Sequence, residues 1–191
     1  MAIVLASQSP RRQELLARIG VEDFKTLSLD IDESYPEGLS PEDTVRYIAK
    51  KKCDAAAALC APDDLIITAD TMVFLGNDRL GKPRDEEDAL RMLRALSGRA
   101  HTVCTGVSVR RGAQEERFAV STRVFFRPMT DDEIRAYIKT GEPMDKAGAY
   151  GVQSRGALFV ERIDGDFFNV MGLPVVLLAE MLGEFGIQLL G

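Results

Sequence analysis

Two arginines open a predicted helix at a place where helix stability would favour acids. The stretch Ser7-Gln8-Ser9-Pro10-Arg11-Arg12 follows a short apolar run. Ser9 suits the N-cap position and Pro10 the first helical position. Such a helix end presents backbone N–H groups and the positive end of the dipole, so it is a natural seat for an anion. Two serine hydroxyls add donors, and arginine grips phosphate with a two-pronged fork. A capped helix with two solvated arginines is the competing account. Arginine in a first turn opposes the dipole, however, so helix stability alone does not explain the pair.

Carboxylates come next. Thr68-Ala69-Asp70-Thr71 places Asp70 at the end of a predicted buried strand, where open α/β sheets hold their ligands. There it can bind a divalent metal, activate a water, or both; as a turn or capping aspartate it does neither. Asp32 and Glu33 follow another predicted strand and offer a second carboxylate, although by themselves they read as solvated surface. Gly76 to Lys82 nearly matches phosphate-loop spacing, but Pro83 supplies neither a hydroxyl nor an N–H. The glycines also flank a hairpin-like turn, so the phosphate-loop assignment is rejected. Lys82 remains available as a point-charge phosphate ligand. Lys50-Lys51-Lys52, late in a long helix, fits a solvated helix end. His101 is the only histidine, so no Ser-His-Asp or Cys-His set can be assembled, and it reads as structural. Gln153 lies in a stretch of glycines and polar residues, and its amide can read a base edge with one donor and one acceptor.

The elements that must position these residues alternate. A strand at 2–6 leads through Ser7–Ser9 into a helix that Gly20 ends. A second strand is predicted at 24–29. Ser40-Pro41-Glu42-Asp43 starts an Ala-rich helix to about Leu59. Residues 65–69 read as a strand ending at Asp70. Strands near 71–75 and 79–81 flank a hairpin tip at Asn77-Asp78. A helix spans Asp85 to Leu96, an antiparallel pair covers 101–110 and 115–126, and a helix runs from Thr130 to about Lys139. Residues 141–156 show little periodicity, and a loop of that length is functional or poorly ordered. A strand near 157–163 and a helix from 174 to 183 close the chain. The pattern implies a mixed β-sheet covered by helices, an α/β fold.

Composition narrows the classes. With 191 residues, 46% hydrophobic and 28% charged, the chain fits a single domain at 1–191 with a real core. A net charge of −6 argues against duplex nucleic acid as a partner. Cys53, Cys60 and Cys104 form no CxxC pair, which fits a reduced cytoplasmic setting. The N-terminus lacks the charge-then-apolar order of a signal peptide. The most apolar C-terminal stretch is interrupted by Pro174, Glu180 and Glu184, so no membrane span is expected. A homodimer is the base-rate expectation for assembly.

Several segments together resemble the Maf proteins, nucleoside triphosphate pyrophosphatases first described as septum-formation inhibitors. They are LASQSPRRQELL at 5–16, ADT at 69–71, GKP at 81–83, LSG at 96–98 with His101 after it, GEPMDKAGAYGVQ at 141–153 and NVMGLP at 169–174. The resemblance implies a mixed α/β fold of two lobes around a central cleft, similar to the inosine triphosphate pyrophosphatases. It implies hydrolysis of a nucleoside triphosphate to monophosphate and pyrophosphate, with Mg²⁺ or Mn²⁺ as cofactor. Asp70 would activate water, Lys52 and Lys82 would neutralise the triphosphate, and Ser7 and Arg12 would bind phosphate. Glu33 would be a second metal-associated carboxylate beside Asp70. Arg11, Thr71 and Gln153 would set base specificity, and the set is similar to the subfamily acting on dTTP and UTP. Ser154 departs from that pattern, standing where glycine is expected. A pyrophosphatase for other modified nucleotides, such as 7-methyl-GTP, and a non-enzymatic division regulator are the alternatives.

Overall fold

The structure is a computed structural model and describes residues 1–190. Seven strands form one mixed sheet flanked by helices: β1 (Ile3–Leu5), β2 (Phe24–Thr26), β3 (Leu65–Leu75), β4 (Asp78–Leu80), β5 (Ala100–Arg111), β6 (Gln114–Phe126) and β7 (Val160–Asp164). Their order is β2-β1-β3-β5-β6-β7, and β4 pairs with β3. The helices are α1 (Pro10–Arg18), α2 (Pro41–Ala57), α3 (Glu86–Leu96), α4 (Asp131–Ile138), α5 (Phe167–Met171) and α6 (Val175–Glu184). The chain divides into two compact units. One holds Met1–Asp70, Thr105–Val120 and the segment from Gly172; the other holds Thr71–Cys104 and Ser121–Met171.

In the first unit β1 runs parallel between β2 and β3, with Leu5 opposite both Thr26 and Ile67. A strand paired on both sides and covered on both faces must be apolar throughout, which accounts for the run Ile3-Val4-Leu5. Helix α2 begins where Ser40 accepts a hydrogen bond from the Asp43 N–H, with Pro41 at the first position. Val45, Ile48, Ala49, Cys53 and Ala56 recur at helical spacing and are buried. Cys53 and Ala56 form one cluster with Ala6 and Ile66, against which Leu27 and Leu29 pack. Gly106 of β5 lies so close to α2 that a Cβ there would stand 2.4 Å from the Val45 carbonyl carbon and oxygen. Strand and helix therefore touch backbone to backbone.

In the second unit the end of β3 turns back into β4, with Val73 opposite Leu80. The two-residue turn is Gly76-Asn77, and Gly76 adopts the positive φ (+61°) that a tight hairpin asks of its first turn residue. Helix α4 starts with a reciprocal capping box between Thr130 and Glu133. His101, Phe126, Tyr150, Phe159 and Tyr137 form a chain of aromatic contacts, edge to face except for the tilted pair Phe126–Phe159.

Asp88 on α3 is buried yet fully engaged. It accepts hydrogen bonds from the Arg91 guanidinium at 2.7 and 3.0 Å and from the Arg84 N–H at 3.1 Å. The Arg91 bonds first, then the Arg84 N–H, hold its carboxyl at about 2, below its ordinary value. The folded chain therefore binds this proton more weakly than the unfolded chain. The stability it adds is complete above about pH 4 and is lost as pH falls towards 2. Asp88→Asn is expected to lower Tm at neutral pH and to flatten the fall of Tm between about pH 4 and 2, as thermal melts across that range would show.

Several expectations need correction. The strands predicted at 65–69 and near 71–75 are one continuous strand, Leu65–Leu75, so Asp70 sits in mid-strand rather than at an end. Nothing in Thr71-Met72-Val73-Phe74-Leu75 breaks an extended chain, and all but Thr71 are buried. Strand β2 stops at Thr26, and Leu27 and Leu29 instead pack on the core. Residues 142–145, 147–149 and 155–159 form three 3-10 turns, so β7 begins only at Val160. Helix α5 lies outside every predicted element, because its five residues are too few to show a period.

Candidate active site

The turn after β1 gathers the first candidates. Parallel pairing carries Leu5 beside Ile67, and the Ala6 N–H extends the ladder to the Ile67 carbonyl at 2.9 Å. The chain leaving β1 is thus set next to the stretch of β3 that contains Asp70. Ser9 occupies the N-cap of α1, but its side chain makes no cap hydrogen bond. Its N–H instead donates to the Ser7 hydroxyl at 3.2 Å. Helices α2, α3 and α4 have side-chain caps and acids in their first turns; α1 has neither. The positive end of its dipole is therefore met by neither a side-chain cap nor an acid. Arg12 folds back, donating from Nε to the Gly172 carbonyl at 2.8 Å and from Nη1 to the Ser7 hydroxyl at 3.3 Å. Burial lowers the pKa of its guanidinium, while Asp70 and Glu33 pull it up and Arg11 opposes them. Arg12 therefore lies within electrostatic reach of both carboxylates.

Asp70 is placed by a tie one residue pair away. Thr68 and Asp70 point to the same face of β3, because side chains alternate along a strand. The buried Thr68 hydroxyl donates to the Ala49 carbonyl of α2 at 2.7 Å. Lys52 lies one helical turn beyond Ala49 on the same side, so it meets Asp70. Its ammonium donates to Asp70 Oδ1 at 2.8 Å and stands 2.9 Å from Glu33 Oε1. Asp70 is buried, and its Oδ2 has no hydrogen-bond partner. A buried carboxylate oxygen without a donor is costly unless something else satisfies it. The arrangement is a cation between two carboxylates, with the buried Asp70 Oδ2 left unsatisfied.

The lysine run is consequently not a solvated helix end. Lys50 pairs with Asp54, Lys51 with Asp32 at 3.3 Å, and Lys52 with Glu33 and Asp70. The Lys52 side chain is only 15% exposed. Consecutive lysines hold consecutive acids, which pins the segment 32–34 along α2. Asp32 and Glu33 remain exposed but are held in place rather than loose on the surface.

Ser7, Arg11, Arg12, Glu33, Lys52 and Asp70 all belong to the first unit, whereas Thr71, Lys82 and Gln153 belong to the second. Thr71 follows Asp70 in β3 and faces the other way. Lys82 is exposed, and the Gly81 carbonyl before it accepts from the Gly148 N–H at 3.1 Å. Gln153 is exposed on the turn after Gly151. His101 takes no place among these groups: its Nε2 meets the Tyr150 hydroxyl at 2.7 Å inside the aromatic cluster. Burial holds its imidazole at about 4, so it stays neutral. The residues that the sequence did not single out are those that hold others. Thr68, which ties β3 to α2, reads in sequence as one more β-branched strand residue.

The geometry can be set against known proteins. A protein of Bacillus velezensis named dTTP/UTP pyrophosphatase is 47% identical over 186 residues, covering 97% of each chain. One of Moorella thermoacetica with the same name is 50% identical over 192 residues, covering 99% of this chain and 97% of that one. Among solved structures, a HAM1 protein from Coxiella burnetii matches with a TM-score of 0.57 at 14% identity, over 96% of this chain and 99% of that one. The Staphylococcus aureus Ham1 protein matches with a TM-score of 0.53 at 15% identity, over 96% of this chain and all of that one. At such identities the structural likeness speaks for the fold alone. The family described as Maf-like protein matches residues 2–185, a span that holds every candidate residue above. With that span and relatives of this identity over nearly the whole length, the chain belongs to the Maf family.

Proposed function

We propose that this protein hydrolyses a nucleoside triphosphate, dTTP and UTP foremost, to the nucleoside monophosphate and pyrophosphate. The observation that carries the reaction is the buried Asp70, held through Oδ1 by Lys52 and left without a hydrogen-bond partner at Oδ2. The names of the relatives support the choice of nucleotide.

In this reading a water attacks the α-phosphorus and gives its proton to Asp70. The bond from that phosphorus to the bridging oxygen breaks, and pyrophosphate leaves with the electron pair. Lys52 fixes the Asp70 carboxylate. Ser7, Arg12 and the uncapped start of α1 offer donors to phosphate oxygens, where preorganised charge lowers the barrier most. Lys82 adds a point charge, and Arg11, Thr71 and Gln153 read the nucleotide; these last assignments rest on family membership. A divalent cation fits the residues present. The orphaned Asp70 Oδ2 and the Glu33 carboxylate would hold it, since Mg²⁺ and Mn²⁺ need few protein carboxylates when phosphates and waters complete the shell. When bound, the ion would neutralise phosphate charge and sharpen the attacking water. Lys52 would then hold the same carboxylates from the protein side.

Cys53, Cys60 and Cys104 form no disulfide with one another, which supports a cytoplasmic setting. Among the described residues, no helix is long and apolar enough to cross a membrane. A homodimer is the assembly we expect, on base rate.

The test is a release assay with Mg²⁺ or Mn²⁺ over dTTP, UTP, CTP, GTP, 7-methyl-GTP and ITP, identifying both products. Selective release from dTTP and UTP is expected. Pyrophosphate from another nucleotide would keep the mechanism and overturn the substrate; none from any would favour a non-enzymatic regulator. Gln153→Ala and Arg11→Ala are each expected to change the ratio of kcat/KM between dTTP and CTP by about tenfold, with a smaller change in kcat. Equal losses on every nucleotide would remove these two from base selection.

A further inference from the structure

The turn that displays Gln153 is built around one carboxylate. Glu142 Oε1 accepts from the Tyr137 hydroxyl at 2.8 Å, the Ser154 hydroxyl at 2.6 Å and the Gly156 N–H at 3.2 Å. Its Oε2 accepts from the Arg155 N–H at 3.3 Å. The Tyr137 oxygen in turn accepts from the Gly151 N–H at 3.1 Å. Residues on both sides of Gln153 are thus tied to one acid, while the Gln153 side chain itself is exposed. Burial pushes the Glu142 carboxyl up, but these donors outweigh it and hold the group below its ordinary range. Glu142 is therefore an anion at neutral pH, and its bonds to Tyr137 and Ser154 are charge-assisted and stiff.

Packing closes the same turn. A Cβ at Gly156 would stand 2.5 Å from the Gly151 carbonyl oxygen and 2.8 Å from the Tyr137 hydroxyl. A Cβ at Gly151 would stand 2.9 Å from Lys146 Cε and 3.0 Å from the Ser154 hydroxyl. Lys146 is itself fixed, donating to the Glu142 carbonyl at 2.7 Å. Ser154 adopts φ −133°, which any residue can take, so its position does not require glycine. What serine adds there is a hydroxyl on Glu142.

We infer that Glu142, with Ser154 and Tyr137, positions the Gln153 amide and so tunes which nucleobase the enzyme accepts. The inference rests on the proposed base-reading role of Gln153. Glu142 and Ser154 touch no reacting atom in this account; they act through the turn. Loosening them costs the reading of the base and spares the handling of phosphate.

The test compares the full-length protein with Glu142→Gln, Ser154→Gly and Gln153→Ala, measuring kcat and KM for dTTP, UTP and CTP. Inhibition by tripolyphosphate, which has no base, reports the phosphate cradle. In Glu142→Gln the preference for dTTP over CTP is expected to fall about tenfold, through KM rather than kcat, with tripolyphosphate inhibition unchanged. Ser154→Gly should lose about threefold, the scale of one hydrogen bond, and carries the test if Glu142→Gln folds poorly. A lowered Tm with the preference intact would make the network purely structural and overturn the inference. If Gln153→Ala also leaves the preference intact, the base-reading role fails instead, and the inference falls with it.

Discussion

Asp70→Asn is expected to lower kcat by about three orders of magnitude while the fold survives. The amide has the shape of the carboxylate, so the buried space beside Thr68 stays filled. The loss is chemical: an amide can neither take the proton nor bind a cation as the unsatisfied Oδ2 of the carboxylate can. Lys52 keeps Glu33 at 2.9 Å and so is not stranded without an acid. Arg12, drawn to both Asp70 and Glu33, keeps one of the two. The variant should therefore retain its circular dichroism spectrum and bind dTTP, and release no more than a trace of pyrophosphate. Activity within tenfold of the parent would move the water-activating role away from Asp70. Loss of nucleotide binding together with turnover would instead make Asp70 a binding group.

The largest effect on stability is expected from Gly106→Ala. The added methyl would meet the Val45 carbonyl carbon and oxygen at 2.4 Å and the Arg46 nitrogen at 2.6 Å. All three are backbone atoms of a helix, so no flexible side chain can yield, and α2 must move off the strand or the strand must bend. Overpacking of this kind costs about 3 kcal/mol. For a chain of this size that is a Tm lower by roughly 10 °C. The site should suffer too, because α2 carries Lys52 and the Ala49 carbonyl that holds Thr68. A melt within about 2 °C of the parent would show that the strand and helix can separate at little cost.

Much of this protein is local in origin. Apolar runs, N-caps and the Pro41 signal are written in short segments, so most helices and strands could be placed from them, although the β3–β4 turn falls at Gly76-Asn77, one residue before the expected Asn77-Asp78. The same holds for the start of α1, because arginines after a serine-proline pair are anomalous whatever surrounds them. Lys82 and Gln153 owed their selection to motif context, since an exposed lysine or glutamine has no local signature. What could not be read locally is which side chains meet. Asp70 looked like a strand end because an acid usually stops an apolar run, yet β3 continues since Lys52 compensates its charge across 18 residues of sequence. Lys52 looked like surface because its partners come from two other segments. Glu142 gave no sign of its role, because its donors are one tyrosine hydroxyl, one serine hydroxyl and two backbone N–H groups from a turn ten or more residues away. Composition and periodicity decide what a segment becomes; burial of a charge and the identity of its partner exist only once the chain has folded, because both depend on contacts between segments far apart in sequence.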